Sequence, residues 1–308
     1  MVGLGLLAAT ALVAGCGEQK GDAGKPKYRI ALIMKSLANE FFTTMADGAR
    51  KHHEKNASEY DLIVNGMKNE TDVNEQIGLV EQMIADKVDA IILAPADSKL
   101  LVGVCKKARQ RGIVVVNIDN PLDADTVKEA GVSIPFVGPD NREGARLAGE
   151  YLAKKLQKGD QVAIIEGRPN ALNGEMRKLG FTEAMDKAGI EVARSQTANW
   201  ERDEAEKVVA GIVAGKPELK AFLCANDSMA LGAVAALRRL PNVLIVGYDN
   251  IAAIQENIKT GRVLCTVDQH ADRIAVEGIH VALNLLEKRE IRDYTRTAVD
   301  VVTKDTLK

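Results

Sequence analysis

Residues 221–233 read AFLCANDSMALGA. An apolar run ends in Asn226-Asp227, and a segment of strong helix formers follows at once. This is the signature of one buried strand, a tight turn and a helix. An amide beside a carboxylate at such a junction has two uses. One is to cap the helix, which is worth about 1 kcal/mol. The other is to grip a ligand, because open α/β sheets bind their ligands outside the carboxyl ends of the strands. The expectation is that Asp227 caps the helix and that Asn226 holds a ligand group.

The same unit recurs along the chain. Short β-branched runs lie at 28–34 (YRIALIM), 60–66, 88–95, 112–118, 135–138, 161–167, 190–195, 220–225, 242–247 and 262–267. Helical periodicity fills the gaps between them. Val73, Ile77, Val80 and Ile84 mark one face of a helix, with Thr71 placed to cap it, and Ala145, Ala148, Leu152 and Leu156 mark another. Strands alternating with helices imply parallel sheets covered on both faces. Ten strands exceed one comfortable doubly wound sheet, and turn residues cluster from Pro121 to Pro139. The pattern therefore predicts two Rossmann-like α/β lobes with a hinge near Gly138-Pro139.

The chain has 308 residues, a net charge of −2, 27% charged residues and only 4% aromatics. No Lys/Arg block gives a nucleic-acid partner an electrostatic footprint. There is no G-x-S-x-G elbow and no H-E-x-x-H. GIVAGKP at 211–217 is one residue short of a P-loop and lacks its Ser/Thr. The four histidines show no ligand spacing, and DNPLDADT has the acids of a calcium loop without its glycine. Nothing calls for a cofactor or a metal. Cys105, Cys224 and Cys265 read as small buried hydrophobes.

Residues 1–16, MVGLGLLAATALVAGC, carry no charge and end in Val-Ala-Gly-Cys. The run is too short to span a bilayer. It has the length of a signal peptide, and its G-x-G-x-x-A follows no strand. Its end resembles a lipobox, with Cys16 as the lipidated residue, although the usual Lys/Arg before the apolar run is missing. Residues 17–26 read as a polar tether.

The strand ends carry an unusual collection: Lys35, Asn39, Phe41 and Phe42 after the first, Asp119-Asn120 after the fourth, then Arg177, Trp200, Asn226, Asp249 and Gln269. A sugar hydroxyl both donates and accepts, so it suits carboxylates and amides beside N–H donors, while aromatic faces cover the C–H side of a ring. Each residue also has a plainer reading. Arg177 fits a solvated helix, and one of the adjacent Phe41 and Phe42 fits the core. Trp200 lies in a polar stretch, which favours a site. Lys35 fits either a ligand contact or a pair with a nearby carboxylate.

These motifs in this order resemble the periplasmic sugar-binding proteins of ABC transporters, type I, and most closely the ribose-binding branch. IALIMKSLANEFF resembles that branch's first strand and Asn-x-Phe-Phe turn. ANDSMALGA and VGYDN resemble its later signatures, and Arg177 in RKLGF resembles its binding arginine. The resemblance spans residues 27–305. It implies an exported monomer with no cofactor that takes a monosaccharide or polyol between its lobes and delivers it to a membrane permease. It also implies a three-crossing hinge near 138–140, 268–270 and 298–300. The parts are then a signal peptide (1–15), a tether (16–26), a first lobe (27–138 plus 270–298) and a second (139–269 plus 299–308). Three departures from the ribose pattern stand out: Lys35 for a small hydroxyl residue, Asn120 for Arg and Glu40 for Pro. A sensory receptor would use the same cleft. A lactose-repressor-like regulator would need a DNA-binding domain where the lipobox lies.

Overall fold

A computed structural model describes residues 28–215 and 218–307. Cys16 and the residues read as a signal peptide and a tether lie outside the described residues. The first lobe contains β1 (Tyr28–Ser36), α1 (Glu40–Lys55), β2 (Tyr60–Met67), α2 (Val73–Ala85), β3 (Ala90–Leu93), α3 (Val102–Gln110), β4 (Val114–Ile118), α4 (Ala124–Ala130) and β5 (Phe136–Pro139). The second contains α5 (Asn141–Ala153), β6 (Gln161–Glu166), α6 (Leu172–Ala188), β7 (Glu191–Thr197), α7 (Arg202–Gly215), β8 (Ala221–Cys224), α8 (Asp227–Ala236), β9 (Leu244–Val246), α9 (Ala252–Lys259) and β10 (Cys265–Asp268). The chain then returns with α10 (Ala271–Leu286) and β11 (Tyr294–Thr297) on the first lobe, and ends with β12 (Asp300–Thr303) on the second.

The two sheets run β11-β5-β4-β3-β1-β2 and β12-β10-β9-β8-β6-β7. All pairings are parallel except β10 with β12. Leaving aside β11 and β12, each sheet repeats one doubly wound order, and in each the order reverses beside the lobe's first strand, at β1/β3 and β6/β8. Crevices open at such reversals. Every residue of β3, β4 and β8 is buried, as expected of central strands covered on both faces.

The chain crosses between sheets after β5, after β10 and after β11. Side chains tie the crossings together. Asp140 of the first pairs with Arg296 near the third at 2.9 Å, and His270 of the second meets Asp300 at the third at 2.7 Å.

Three local expectations need correction. The cap of α2 is Asp72, not Thr71. The fully buried face of that helix holds Val73, Gln76, Val80 and Met83, with Ile77 and Ile84 only partly covered. Gln76 is inside because its amide donates to the carbonyls of Met34 and Ala94 and accepts from Ala96 N–H, joining β1 to the β3 exit. Leu156 lies beyond the end of α5.

Candidate functional site

Between the lobes lies a cavity of about 220 Å³. It is lined from the first lobe by Lys35, Asn39, Phe41, Phe42, Glu70 and Asp119, and from the second by Asn173, Arg177, Trp200, Asn226, Asp249 and Gln269. Lys35, Asp119, Arg177, Asn226 and Gln269 are each no more than 2% exposed, so the lobes are closed around them.

The backbone works to aim these groups. Asp119 (φ 63°), Trp200 (φ 71°) and Asp249 (φ 125°) all sit at positive φ. Such conformations are costly for residues other than glycine and concentrate at functional sites. Gly167 has its own reason to be glycine: a Cβ there would come within 2.1 Å of the Trp200 ring. The bare backbone is the shelf on which the indole lies. Phe41 and Phe42 meet edge to face at 5.0 Å, and both line the cavity.

The charges are arranged in two groups. On the first lobe the Lys35 ammonium is 3.0 Å from Asp119 Oδ2. Both groups are buried, and apart from this ion pair no hydrogen bond among the described residues reaches Oδ2. On the second lobe Arg177 is locked from several sides. Its Nε donates to Asn141 Oδ1 at 2.8 Å, Nη1 to the Ala225 carbonyl at 2.7 Å and Nη2 to Gln269 Oε1 at 3.3 Å. Its guanidinium stacks 3.8 Å from the Tyr248 ring and stands 3.5 Å from Asp249. Gln269 Nε2 donates to Asp249 Oδ1 at 2.6 Å. Burial pushes the Asp249 carboxyl up to about 7, against the pull of Arg177. Burial likewise lifts Glu70 to about 7, opposed by Lys35 and by the amide of Asn39, which donates to it at 2.8 Å.

Ten of the eleven sequence candidates thus line one cavity. Asn120 does not. Its Nδ2 donates to the Pro95 carbonyl and to Ser98 Oγ, and its Oδ1 accepts from Asn173 N–H of the other lobe. The Asn226-Asp227 assignment is also revised. Asn226 is the N-cap of α8: Oδ1 accepts from Met229 N–H at 2.8 Å, while Nδ2 donates to the Trp200 carbonyl. One amide proton remains for the cavity. Asp227 is fully buried and accepts from Thr266 Oγ1 and Ile251 N–H, joining β10 and the start of α9. Burial, then the charge of Asp249, holds its carboxyl well above the usual range.

Glu70 and Asn173 are the lining residues that sequence reasoning missed. Glu70 follows β2 by three residues and Asn173 opens α6. The strand-end rule applied to β2, and to the β6 exit ahead of Arg177, finds both.

Two sheets of one doubly wound order, three crossings and a polar cavity between them describe a hinged binding protein. Residues 30–290 match the family model for the periplasmic binding protein domain. The chain belongs to that family. Among its relatives, the D-ribose/D-allose-binding protein of Pseudomonas aeruginosa is 52% identical over 284 residues, 90% of this chain and 89% of that one. The D-allose-binding periplasmic protein of Escherichia coli is 34% identical over 260 residues, 82% and 83% of the two chains. A solved ABC transporter periplasmic solute binding protein from Actinobacillus succinogenes, with bound D-allose, superposes with a TM-score of 0.86 at 38% identity, covering 91% of this chain and 99% of that one. These periplasmic binding proteins are binders and not enzymes. The carboxylates here are embedded among amides and aromatics.

Proposed function

We propose that this periplasmic binding protein captures one neutral monosaccharide, D-allose or D-ribose, and presents it to the membrane permease of an ABC transporter. The observation that carries this reading is the closed cavity between the lobes, where three carboxylates, a guanidinium, an ammonium and three aromatic rings converge and Asp119 Oδ2 meets only the Lys35 ammonium. A sugar hydroxyl can donate to that oxygen and complete its hydrogen bonding.

The choice of a neutral sugar rests on charge. Acidic lining groups (Glu70, Asp119, Asp249) outnumber basic ones (Lys35, Arg177), and both cations already face a carboxylate. A sugar acid would find neither cation free to pair with it. The sugar binds one lobe, the hinge closes, and the other lobe completes the hydrogen bonds. Closure follows because the closed form binds the sugar better than the open one. The protein works outside the cytoplasm as a monomer, held to the membrane by a lipid on Cys16.

Thermal unfolding against a panel of pentoses, hexoses, polyols, sugar acids and nucleosides tests the reading. D-allose or D-ribose is expected to raise the midpoint by several degrees when far above its dissociation constant. A response confined to sugar acids would overturn the neutral-sugar assignment and make Lys35 the recognition group. No response to any neutral sugar would overturn the function itself.

A further inference from the structure

Two helices of the second lobe begin without a cap of their own. At α6 the N-cap position is Ala171, and at α9 it is Ile251; neither side chain offers an acceptor. The first N–H groups of a helix have no intrahelical partner and need one from elsewhere. In both helices it comes from the opposite lobe. Ser98 Oγ accepts from Leu172 N–H at 3.2 Å, and Asn120 Oδ1 accepts from Asn173 N–H at 2.9 Å. At α9 the carboxylate of Glu40, the first residue of α1, takes Ala252 N–H on one oxygen at 2.8 Å and Ala253 N–H on the other at 3.2 Å. A carboxylate at that end also complements the helix dipole.

The geometry points to a closure latch: Glu40 and the Ser98–Asn120 pair are affinity-setting residues that cap the helices of the facing lobe only when the cleft is shut. None of the three lines the sugar cavity. In the open form the lobes part and these N–H groups turn to water, so the caps stabilise the closed state selectively. A device that favours the closed form multiplies the affinity for every ligand by the same factor. It also explains Asn120, a cleft residue buried without touching the cavity. And it explains the acidic residue at position 40, whose carboxylate is spent on the facing lobe. The latch rests on hinge closure, and only its readout by sugar affinity rests on the proposed function.

The test is Glu40→Ala, with Glu40→Gln as the conservative variant and Ser98→Ala at the second contact. Removing one such cap is worth about a fivefold change in an equilibrium. Glu40→Ala is therefore expected to weaken D-allose and D-ribose by the same factor of about five, with the ligand-free melting point unchanged. Glu40→Gln, which keeps an acceptor oxygen, is expected to retain most of the affinity. Ser98→Ala is expected to repeat the uniform loss. Unchanged affinity, a factor that differs between the sugars, or a ligand-free melting point that falls with the affinity would each overturn the latch. If the unaltered protein binds neither sugar, the proposed function fails by itself. The latch is then read from dyes placed across the cleft of the ligand-free protein, counted molecule by molecule. A closed-to-open ratio about fivefold lower in Glu40→Ala supports it, and an equal ratio overturns it.

Discussion

Replacing Asn226 by alanine separates structural from ligand-holding roles at the strand end where the sequence offered two candidates. Asn226 is 2% exposed, and its side chain makes two internal hydrogen bonds, to Met229 N–H and to the Trp200 carbonyl. The first is a helix cap, worth about 1 kcal/mol. Loss of the second leaves the Trp200 carbonyl without that donor inside the protein, at roughly 1–3 kcal/mol. The sum is about 2–4 kcal/mol. At about 2.1 cal/mol/K of unfolding entropy per residue, that lowers the midpoint of a chain this size by about 3–7 °C. The assay is thermal unfolding of the ligand-free protein, followed by circular dichroism. Affinity should fall as well, because the lost amide anchors the turn that holds Trp200 at positive φ. A variant that melts like the parent while losing affinity would return Asn226 to a pure ligand role.

Gly167→Ala places a methyl group against the indole and is expected to weaken D-allose binding at least tenfold by lifting Trp200 off its shelf; calorimetry checks this, and unchanged affinity would contradict it. Glu70 and Asp249 both titrate near 7 in the folded protein, whereas unfolded carboxyls titrate near about 4. Between those limits the folded state binds more protons, so the stability of the ligand-free protein should fall as pH rises from about 4 to 7. Sugar hydroxyls donating to these carboxylates favour the ionised form. Binding near pH 7 should therefore release protons and tighten from pH 6 to 8, which titration in buffers of different ionisation enthalpy measures; proton uptake would contradict it. Cys16→Ala should move the protein from the membrane fraction to the soluble one, and continued membrane association would contradict the lipid anchor.

Much of this architecture is legible because parallel central strands must be apolar throughout. AIIL in β3 and AFLC in β8 announce themselves by hydropathy alone. β11 (YTRT) and β12 (DVVT) do not, for they are short, half-polar strands whose place is set by pairing with β5 and β10. The buried face of α2 departs from its hydropathy pattern for a related reason. Gln76 is buried by three hydrogen bonds to other elements, which hydropathy cannot register. At the cleft, the strand-end rule brought most of the lining into view. What it lacked was side-chain direction. Asn120 follows the same strand as Asp119, yet Asp119 faces the cavity while Asn120 faces the other lobe. Likewise the choice between Asn226 and Asp227 as cap turned on whether α8 began at one residue or the next.

The closed cavity is proposed to hold a neutral monosaccharide through Asp119 and Arg177. Calorimetric titration of D-allose and of D-ribose into the parent protein, Asp119→Ala and Arg177→Ala tests it most directly. One site per chain is expected for at least one of the sugars in the parent, with a loss of at least a hundredfold in each variant while the fold persists. Binding that survives both substitutions undiminished would contradict it.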